Sequence, residues 1–255
     1  MTLAHDDEGD GPAVLLLHSS VCDRRMWDPQ WSALLDAGYR VLRCDFRGYG
    51  QTPMADRPYT DAEDVRDLLD ALRIDQVALV AASYGGKVGL EMAARWPDRV
   101  STLALLCAGM PGHQPSAELR SFGAREDVLL EADDVTGAVE LNVDTWLGPE
   151  ADDTVRDRVR QMQRHAFEVQ LAAIEEFPAP ERDEIDLGKI SAPCLAVSGR
   201  YDLPDFRQIA ARLPELLPDA RHLELPWAGH LPSLERPAEV TALLIEFLAE
   251  TAPPR

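Results

Sequence analysis

Short uninterrupted runs of apolar residues alternate along most of the chain with longer segments in which apolar residues recur every three or four positions. The short runs are typical of strands buried on both faces, and the longer segments are typical of helices with one apolar face. The alternation therefore predicts an α/β fold with a mostly parallel, doubly wound sheet. Strands are predicted at 14–17, 39–44, 77–82, 100–107, 194–198 and 221–225, and helices at 29–37, 60–72, 83–96, 206–217 and 237–248.

The alternation stops after Gly109, and the segment that follows has a helical pattern throughout. We expect a core domain at 1–111 and 189–255 and a helical cap at 112–188, inserted above the carboxyl ends of the strands, where ligands bind in such sheets. One stripe in this segment has the three- and four-residue spacing of a single helix face, which we interpret as ordinary packing. It comprises Val155, Val159, Met162, Ala166, Val169, Ala173 and Phe177.

The composition narrows the class of protein and its partners. The chain has 255 residues, 45% of them hydrophobic, which suits one α/β domain with an insertion. No apolar run is long enough to span a membrane, and the acidic segment 1–12 has no hydrophobic signal core, so we expect a cytoplasmic protein.

The formal net charge is −20, and segment 112–188 holds most of the excess, with 19 acidic and 7 basic residues (net −12). This charge repels phosphates and anionic membranes, so neither nucleic acid nor a membrane is an expected partner.

The cysteines give no sign of a disulfide framework or a zinc site. They are scattered, without a CxxC pair, at Cys22, Cys44, Cys107 and Cys194. In or beside an apolar strand, cysteine usually serves as a small core residue. The spacing favours reduced thiols. Because no group of histidine, cysteine and aspartate has ligand spacing, we expect neither a metal nor another cofactor.

Ser83 lies where an apolar strand is followed directly by a helix, in the sequence Ala-Ala-Ser-Tyr-Gly-Gly. A serine on such a sharp turn projects its hydroxyl above the sheet, and the residues two before and two after it must be small. Ala81 and Gly85 meet that need, although alanine replaces the usual glycine. The start of the helix also offers free N–H groups and a positive dipole potential to a developing anion. These features favour Ser83 as a nucleophile.

Two other interpretations of this segment compete with a nucleophile. A serine before a helix can simply cap it. The pair Gly86-Lys87 resembles the end of a phosphate-binding loop, but that motif requires glycine at position 81 and serine or threonine at position 88. Ala81 and Val88 occupy those positions, so we reject the phosphate loop.

Asp202 and His230 follow the last two predicted strands. Asp202 ends a short loop after strand 194–198, and His230 lies in the loop between the last strand and the last helix. Alone, such an aspartate usually caps backbone N–H groups, and such a histidine is usually on the surface. Together with Ser83 they give the chain order Ser, Asp, His that serine enzymes built on this type of sheet use. We therefore predict Ser83 as nucleophile, His230 as general base and Asp202 as the acid that orients the histidine.

The loop after the first predicted strand supplies a candidate oxyanion hole. A tetrahedral intermediate needs two N–H donors, one from the residue after the nucleophile and one from this loop. The first donor is then the backbone N–H of Tyr84. For the second we predict the N–H of Ser20, in the sequence His18-Ser19-Ser20, with Val21 as the less favoured choice.

With these motifs, the sequence resembles the α/β-hydrolase family over nearly its whole length. Segment 45–50, with the sequence Asp-Phe-Arg-Gly-Tyr-Gly, follows the strand predicted at 39–44. It is similar to the loop at the corresponding place in that family, where its role is mainly structural. Segment 18–27, which ends in Met-Trp, and the short cap resemble 3-oxoadipate enol-lactonases and related small esterases.

Two features depart from that resemblance. The family's common His-Gly pair is His18-Ser19 in this chain, which changes the oxyanion loop. The acidic cap fits poorly with the anionic substrate of an enol-lactonase, although Arg24 or Arg25 would offset its charge locally.

The expected function is hydrolysis of an ester, lactone or similar acyl bond of a small molecule, through an acyl-enzyme intermediate on Ser83. A carbon–carbon bond hydrolase or lyase with the same three residues is one alternative. A ligand-binding, receptor-like protein of the same fold with slow turnover is another. Haloalkane dehalogenase and epoxide hydrolase activities are disfavoured, because both require an aspartate nucleophile at position 83.

Several large apolar residues could line a substrate pocket or could equally pack the cap against the core: Trp27, Met110, Trp146, Phe167, Trp227 and Leu231. We predict substrate contact only for Trp27 and Leu231, because they adjoin the predicted site loops. The single histidines of the expected cap, His113 and His165, are interpreted as structural or exposed rather than as substrate contacts.

Overall fold

The computed structural model describes residues 3–173 and 185–254 and contains a seven-stranded sheet. Its strands lie side by side in the order β1-β3-β2-β4-β5-β6-β7. β1 is antiparallel to β3, and every other neighbouring pair is parallel. The strands are β1 (His5–Glu8), β2 (Ala13–Leu17), β3 (Arg40–Cys44), β4 (Val77–Ala82), β5 (Val100–Leu106), β6 (Cys194–Gly199) and β7 (Ala220–Leu225).

Helices connect the parallel strands, because a parallel pair needs a crossover connection. The α-helices are α1 (Asp28–Asp36), α2 (Asp61–Ala71), α3 (Tyr84–Arg95), α4 (Ala117–Glu131), α5 (Val135–Trp146), α6 (Asp153–Leu171), α7 (Pro204–Leu216), α8 (Pro232–Glu235) and α9 (Pro237–Thr251). Short 3₁₀ helices occur at Arg24–Trp27, Pro97–Arg99 and Leu187–Lys189.

The core lies on both faces of the sheet, as alternation along β2 illustrates. Val14 and Leu16 belong to one buried cluster, and Leu15 and Leu17 belong to a second one. Successive side chains of a strand point to opposite faces, so a strand that is apolar at every position must be covered on both. All four residues are completely buried. The predicted doubly wound α/β fold is therefore confirmed.

One strand, β1, is not among those predicted from the sequence. β1 is polar, and no hydrophobic alternation marks it. It is held at the edge of the sheet by pairing with β3 and by salt bridges across the pair, from Arg40 to Asp7 at 2.6 Å and from Arg43 to Asp6 at 2.8 Å. Such partners come from distant sequence, so periodicity alone could not reveal the strand.

The helical segment after β5 is divided into α4, α5 and α6. Aspartate side chains begin two of these helices: Asp134 accepts the N–H of Gly137 at 2.8 Å, and Asp152 accepts that of Val155 at 2.9 Å. The predicted stripe is correct as far as Val169. Its extension to Ala173 is wrong, because α6 ends at Leu171, and its last position, 177, lies outside the described residues.

Two further expectations concern the cysteines and membrane-spanning helices. All four cysteines are buried free thiols. Across 3–173 and 185–254, no helix has the length and apolar character needed to cross a bilayer.

Candidate active site

The turn between β4 and α3 holds Ser83 in an unusual backbone conformation. Its φ is 52° and its ψ is −114°, a region that costs a non-glycine residue about 1–3 kcal/mol. Hydrogen bonds on both sides of the turn hold it: the Ser83 N–H donates to Leu106 O at 3.0 Å, and the Gly109 N–H donates to Ser83 O at 2.8 Å. The turn directs the hydroxyl away from α3 and toward the loops at the carboxyl edge of the sheet.

Small residues around Ser83 are required by close backbone approach. A Cβ atom on Gly85 would lie 2.6 Å from the carbonyl oxygen of Leu17, closer than side chains tolerate. Two residues before the serine, the methyl group of Ala81 is accommodated because it faces Gly89 on α3, where an added Cβ would lie 3.4 Å away. Alanine therefore fits at a position where glycine is more usual.

The structure brings Ser83, His230 and Asp202 into one hydrogen-bonded chain. Nε2 of His230 lies 2.7 Å from Ser83 Oγ, and Nδ1 of His230 lies 2.8 Å from Asp202 Oδ2. Because a carboxylate only accepts hydrogen bonds, Nδ1 carries the ring proton and Nε2 is left to accept from the serine hydroxyl. All three residues are buried. The arrangement can move a proton from the hydroxyl to the imidazole and stabilise the cation that forms.

Backbone contacts at the ends of β6 and β7 place the acid beside the histidine. The N–H of Leu203 donates to Asp202 Oδ1 at 2.7 Å and leaves Oδ2 for His230. The two loops lie so close that a Cβ atom on Gly199 would be 1.9 Å from Gly229 O. Glycine at position 199 thus lets the strand end pass directly beneath the histidine loop.

Aromatic rings enclose the imidazole of His230. The ring of Trp146, at the end of α5, has its centroid 4.5 Å from that of the imidazole, and the ring of Phe206 lies at 4.2 Å. The backbone N–H of His230 also donates to the backbone carbonyl oxygen of Trp146 at 2.8 Å. These contacts tie the helices inserted after β5 to the histidine loop and keep the imidazole in an environment of low polarity, where hydrogen bonds are stronger than in water.

The loop after β2 contacts the start of α3. The Gly85 N–H donates to His18 O at 3.1 Å, which places the two predicted oxyanion segments side by side. His18 Nε2 accepts the N–H of Phe46 at 3.0 Å, and its Nδ1 donates to Ser19 O at 2.8 Å. Burial lowers the pKa of His18, so the ring is neutral, as this pair of contacts requires.

The backbone N–H groups of this loop differ in their availability. Val21 N–H is engaged with Ser19 Oγ at 3.4 Å, and Cys22 N–H donates to Ser19 O at 3.0 Å. Within the described part of the chain, the N–H groups of Ser20 and Tyr84 donate to no protein acceptor. They are therefore available to a ligand.

Segment 45–50 is hydrogen-bonded to Arg24, at the end of the loop after β2. The Asp45 carboxylate accepts the N–H of Arg24 at 2.8 Å and that of Gln51 at 2.8 Å, and it pairs with the Arg24 guanidinium. A Cβ atom on Gly50, whose φ is 50°, would lie 2.2 Å from an Asp45 oxygen. These contacts agree with a structural role for this segment.

The predicted substrate contacts are placed in the interior. Trp27 and Leu231 are both completely buried and belong to the same hydrophobic cluster. The cap histidines bind protein groups: Nε2 of His165 lies 2.8 Å from Gly50 O, and Nε2 of His113 lies 2.7 Å from Asp205 Oδ1. Substrate contact by Trp27 and Leu231 stays a prediction.

Sequence reasoning missed three residues beside the histidine–aspartate pair. Phe206 carries no distinguishing pattern. Cys107 follows the end of β5, and its thiol lies 3.6 Å from Gly229 O. Glu235, at the end of α8, accepts the N–H of Gly229. Its position as the charged residue after Leu-Pro-Ser-Leu, directly beyond His230, was the one signal available in the sequence.

One group of side chains in the described residues has the spacing of metal ligands. Potential ligand atoms of Cys107, Asp202 and His230 lie within 4.8 Å of one another. Burial raises the pKa of the Cys107 thiol well above its usual value, and the nearby Asp202 charge raises it further. A protonated thiol is a poor ligand, and the other two groups already bind each other, so this donor set does not fit a metal ion.

The comparisons with known proteins agree with this architecture. A sequence profile of the alpha/beta hydrolase family matches residues 14–243. The putative carbamate hydrolase RutD of Variovorax paradoxus (strain S110) is 34% identical, over 96% of this chain and 94% of its own length. The 2-hydroxy-6-oxo-6-phenylhexa-2,4-dienoate hydrolase of Comamonas testosteroni is 26% identical, over 96% of this chain and 91% of its own length.

A solved structure is similar over almost the whole chain. The enol-lactonase from Burkholderia xenovorans LB400 has a TM-score of 0.76 and 27% identity, covering 97% of this chain and 96% of its own. The present chain belongs to the α/β-hydrolase family and is a hydrolase with a small-molecule substrate. The resemblance to lactonases and small esterases expected from the sequence is confirmed.

Proposed function

We propose that this protein hydrolyses an ester, lactone or similar acyl bond, with Ser83 as nucleophile, His230 as general base and Asp202 as the residue that orients it. The observation that carries the proposal is the continuous hydrogen-bonded chain, 2.7 Å from serine to imidazole and 2.8 Å from imidazole to carboxylate. Both distances lie in the range that proton transfer requires.

In the proposed mechanism, Ser83 Oγ attacks the carbonyl carbon while His230 Nε2 takes the hydroxyl proton. The Asp202 carboxylate stabilises the imidazolium, which then protonates the leaving group and leaves an acyl-enzyme. His230 next takes a proton from water, which attacks the acyl carbon, and the imidazolium then returns that proton to Ser83 Oγ as the acid product leaves.

We assign the oxyanion hole to the N–H groups of Ser20 and Tyr84. This assignment is supported by their lack of protein acceptors in the described residues, whereas the Val21 N–H is engaged with Ser19 Oγ. Two donors oriented before the reaction stabilise the developing oxyanion without reorganisation, and losing one typically costs roughly 3–4 kcal/mol of barrier.

We further propose that segment 112–188 is a cap over this site. The contact between Trp146 and His230 supports that arrangement, because it brings the end of α5 against the proposed general base. A cap so placed would shape the substrate pocket and limit its exposure to bulk solvent.

A second candidate is hydrolysis of a carbon–carbon bond with the same three residues. It is favoured by the similarity to the Comamonas testosteroni hydrolase, whose name describes a dienoate substrate. Product analysis distinguishes the two reactions. Both release a carboxylic acid, but only carbon–carbon cleavage also gives a product with a new C–H bond whose hydrogen came from solvent.

The test is a panel of p-nitrophenyl esters, lactones, carbamates and vinylogous diketone acids, run with Ser83→Ala and with Ser121→Ala as a matched exposed-serine control. The wild type and Ser121→Ala should both give a burst of p-nitrophenol and a fluorophosphonate adduct that maps to Ser83. Ser83→Ala should give neither. Undiminished hydrolysis by Ser83→Ala would overturn the proposal. Tight ligand binding without turnover would favour the receptor-like alternative.

A further inference from the structure

Glu235 lies at the end of α8, and its carboxylate receives backbone N–H groups from both neighbours of His230. Oε1 accepts the N–H of Leu231 at 3.2 Å, and Oε2 accepts the N–H of Gly229 at 2.9 Å. Oε2 also accepts the N–H of Gly148, directly beyond α5, at 3.2 Å. One partly buried side chain therefore binds the histidine loop on both sides of His230 and joins it to the end of α5.

The convergence of these N–H groups depends on two glycines. A Cβ atom on Gly229 would lie 2.3 Å from the nitrogen of Gly148. A Cβ atom on Gly148 would lie 2.4 Å from a Glu235 oxygen. Since any side chain at either position would collide with backbone or carboxylate, the two segments can approach each other only as glycines, and the carboxylate completes the junction.

The chemistry of the carboxylate suits this junction. Burial raises the pKa of Glu235, while the N–H groups of Gly229, Leu231 and Gly148 oppose that rise, as does the nearby His230. Hydrogen bonds from N–H groups to an ionised carboxylate are roughly twice as strong as those between neutral groups. A glutamine could not replace it, because its amide nitrogen would face N–H donors and leave at least one of them without an acceptor.

We propose that Glu235 is a positioning residue, which holds the His230 loop and the end of α5 in the geometry that aligns the imidazole with Ser83. The inference rests on the proposed function, because alignment matters only if His230 takes the serine proton. Small displacements of a general base are costly, and a shift of about 1 Å can lower the rate by about a hundredfold. The effect should fall on kcat, because Glu235 reaches backbone groups and contacts the reaction only through His230.

The test compares Glu235→Gln and Glu235→Asp with Glu246→Gln, which removes the same charge from an exposed position of α9. Glutamine keeps the shape and loses the charge, whereas aspartate keeps the charge and is too short to reach all three N–H groups. Each rate is divided by the folded fraction from circular dichroism, so a destabilised variant still gives an answer. Phosphonylation of Ser83 is measured alongside ester hydrolysis, since both require His230 to accept the hydroxyl proton.

We expect kcat per folded molecule to fall by tenfold or more in both Glu235 variants, with KM changed less than about threefold and phosphonylation slowed in parallel. Glu246→Gln should match the wild type. A purely structural role would lower the folded fraction and leave kcat per folded molecule unchanged. A decrease smaller than tenfold in Glu235→Gln therefore overturns the inference.

A separate measurement keeps this inference distinct from the proposed function. If the wild type hydrolyses no member of the panel, the proposed function fails, and the inference is then tested by the proton resonance of His230 Nδ1, which the contact with Asp202 protects from exchange. Loss of that resonance in Glu235→Gln, with retention in Glu246→Gln, supports the positioning role. Retention in both variants overturns it.

Discussion

Two histidine–aspartate pairs are found in the described part of the chain, and their aspartates are three residues apart. His230 meets Asp202 at 2.8 Å, and His113 meets Asp205 at 2.7 Å. The pairs differ in the nitrogen used: His230 turns Nδ1 to its aspartate and Nε2 to Ser83, whereas His113 turns Nε2 to its aspartate. A short contact between imidazole and carboxylate therefore does not identify a base, and the group at the second nitrogen decides what the pair can do.

The surroundings of the two pairs differ as well. His230 is enclosed by the rings of Trp146 and Phe206, while the His113 side chain retains 18% of its exposure. Asp205 also accepts the N–H of Ser116 just before α4, so this second pair fastens the inserted helices to α7. The geometry of the first pair suits the proposed proton transfer from Ser83, whereas the second pair connects α7 to the segment before α4.

The largest expected difference between the pairs comes from replacing each histidine with glutamine. His230→Gln should lower kcat/KM by at least about a thousandfold, because His230 is the one hydrogen-bond partner of the Ser83 hydroxyl in the described residues. His113→Gln should change it by less than about threefold. Steady-state hydrolysis of a p-nitrophenyl ester measures both. Comparable losses in the two variants would erase the distinction between the pairs.

The aspartates should differ in the same direction by a smaller factor. Asp202→Asn is expected to lower kcat by about 10²- to 10⁴-fold, because an amide at this position can donate to Nδ1 and so favour the wrong tautomer. Asp205→Asn should leave kcat within a few fold of the wild type. The readout is kcat at saturating substrate near pH 8. An active Asp202→Asn enzyme would assign the orienting role to another residue.

The smallest effect concerns stability and belongs to Asp205. Burial would raise the pKa of this carboxyl, but hydrogen bonds from Ser116 and His113 outweigh burial and hold the pKa below its usual value. The carboxylate thus stabilises the fold above the unfolded pKa of about 3.9, and this contribution disappears as the pH falls through the lower pKa of the folded state.

Asp205→Asn should accordingly lower the free energy of unfolding by about 1–2 kcal/mol at pH 7. The difference from the wild type should shrink as the pH falls below about 4. Urea unfolding at several pH values measures it, with Asp219→Asn as a control in a surface turn. A difference that stays constant with pH would mean that the charge of Asp205 makes no contribution.

Much of this molecule could be predicted from local sequence. Each predicted strand and helix of the core is present, because runs such as 77–82 are apolar at every position and must be buried on both faces. The chain order of Ser83, Asp202 and His230, each in a segment that follows a strand, also predicted that they would converge, since the carboxyl ends of parallel strands share one edge of the sheet.

What depends on distant partners could not be predicted in this way. β1 is polar and is held by arginines of β3. The role of Glu235 depends on three backbone N–H groups, one of them 87 residues earlier in the chain. No periodicity or motif encodes such contacts.

The sequence by itself determined the fold class, the family and the three residues of the proposed reaction, because burial patterns and turn chemistry are local properties of the chain. Only the tertiary structure decided which nitrogen of each histidine faces which carboxylate, which N–H groups stay available beside Ser83, and how the inserted helices reach His230. Hydrogen bonds and close packing depend on distances of a few tenths of an ångström, and such distances are set when segments far apart in the sequence pack together.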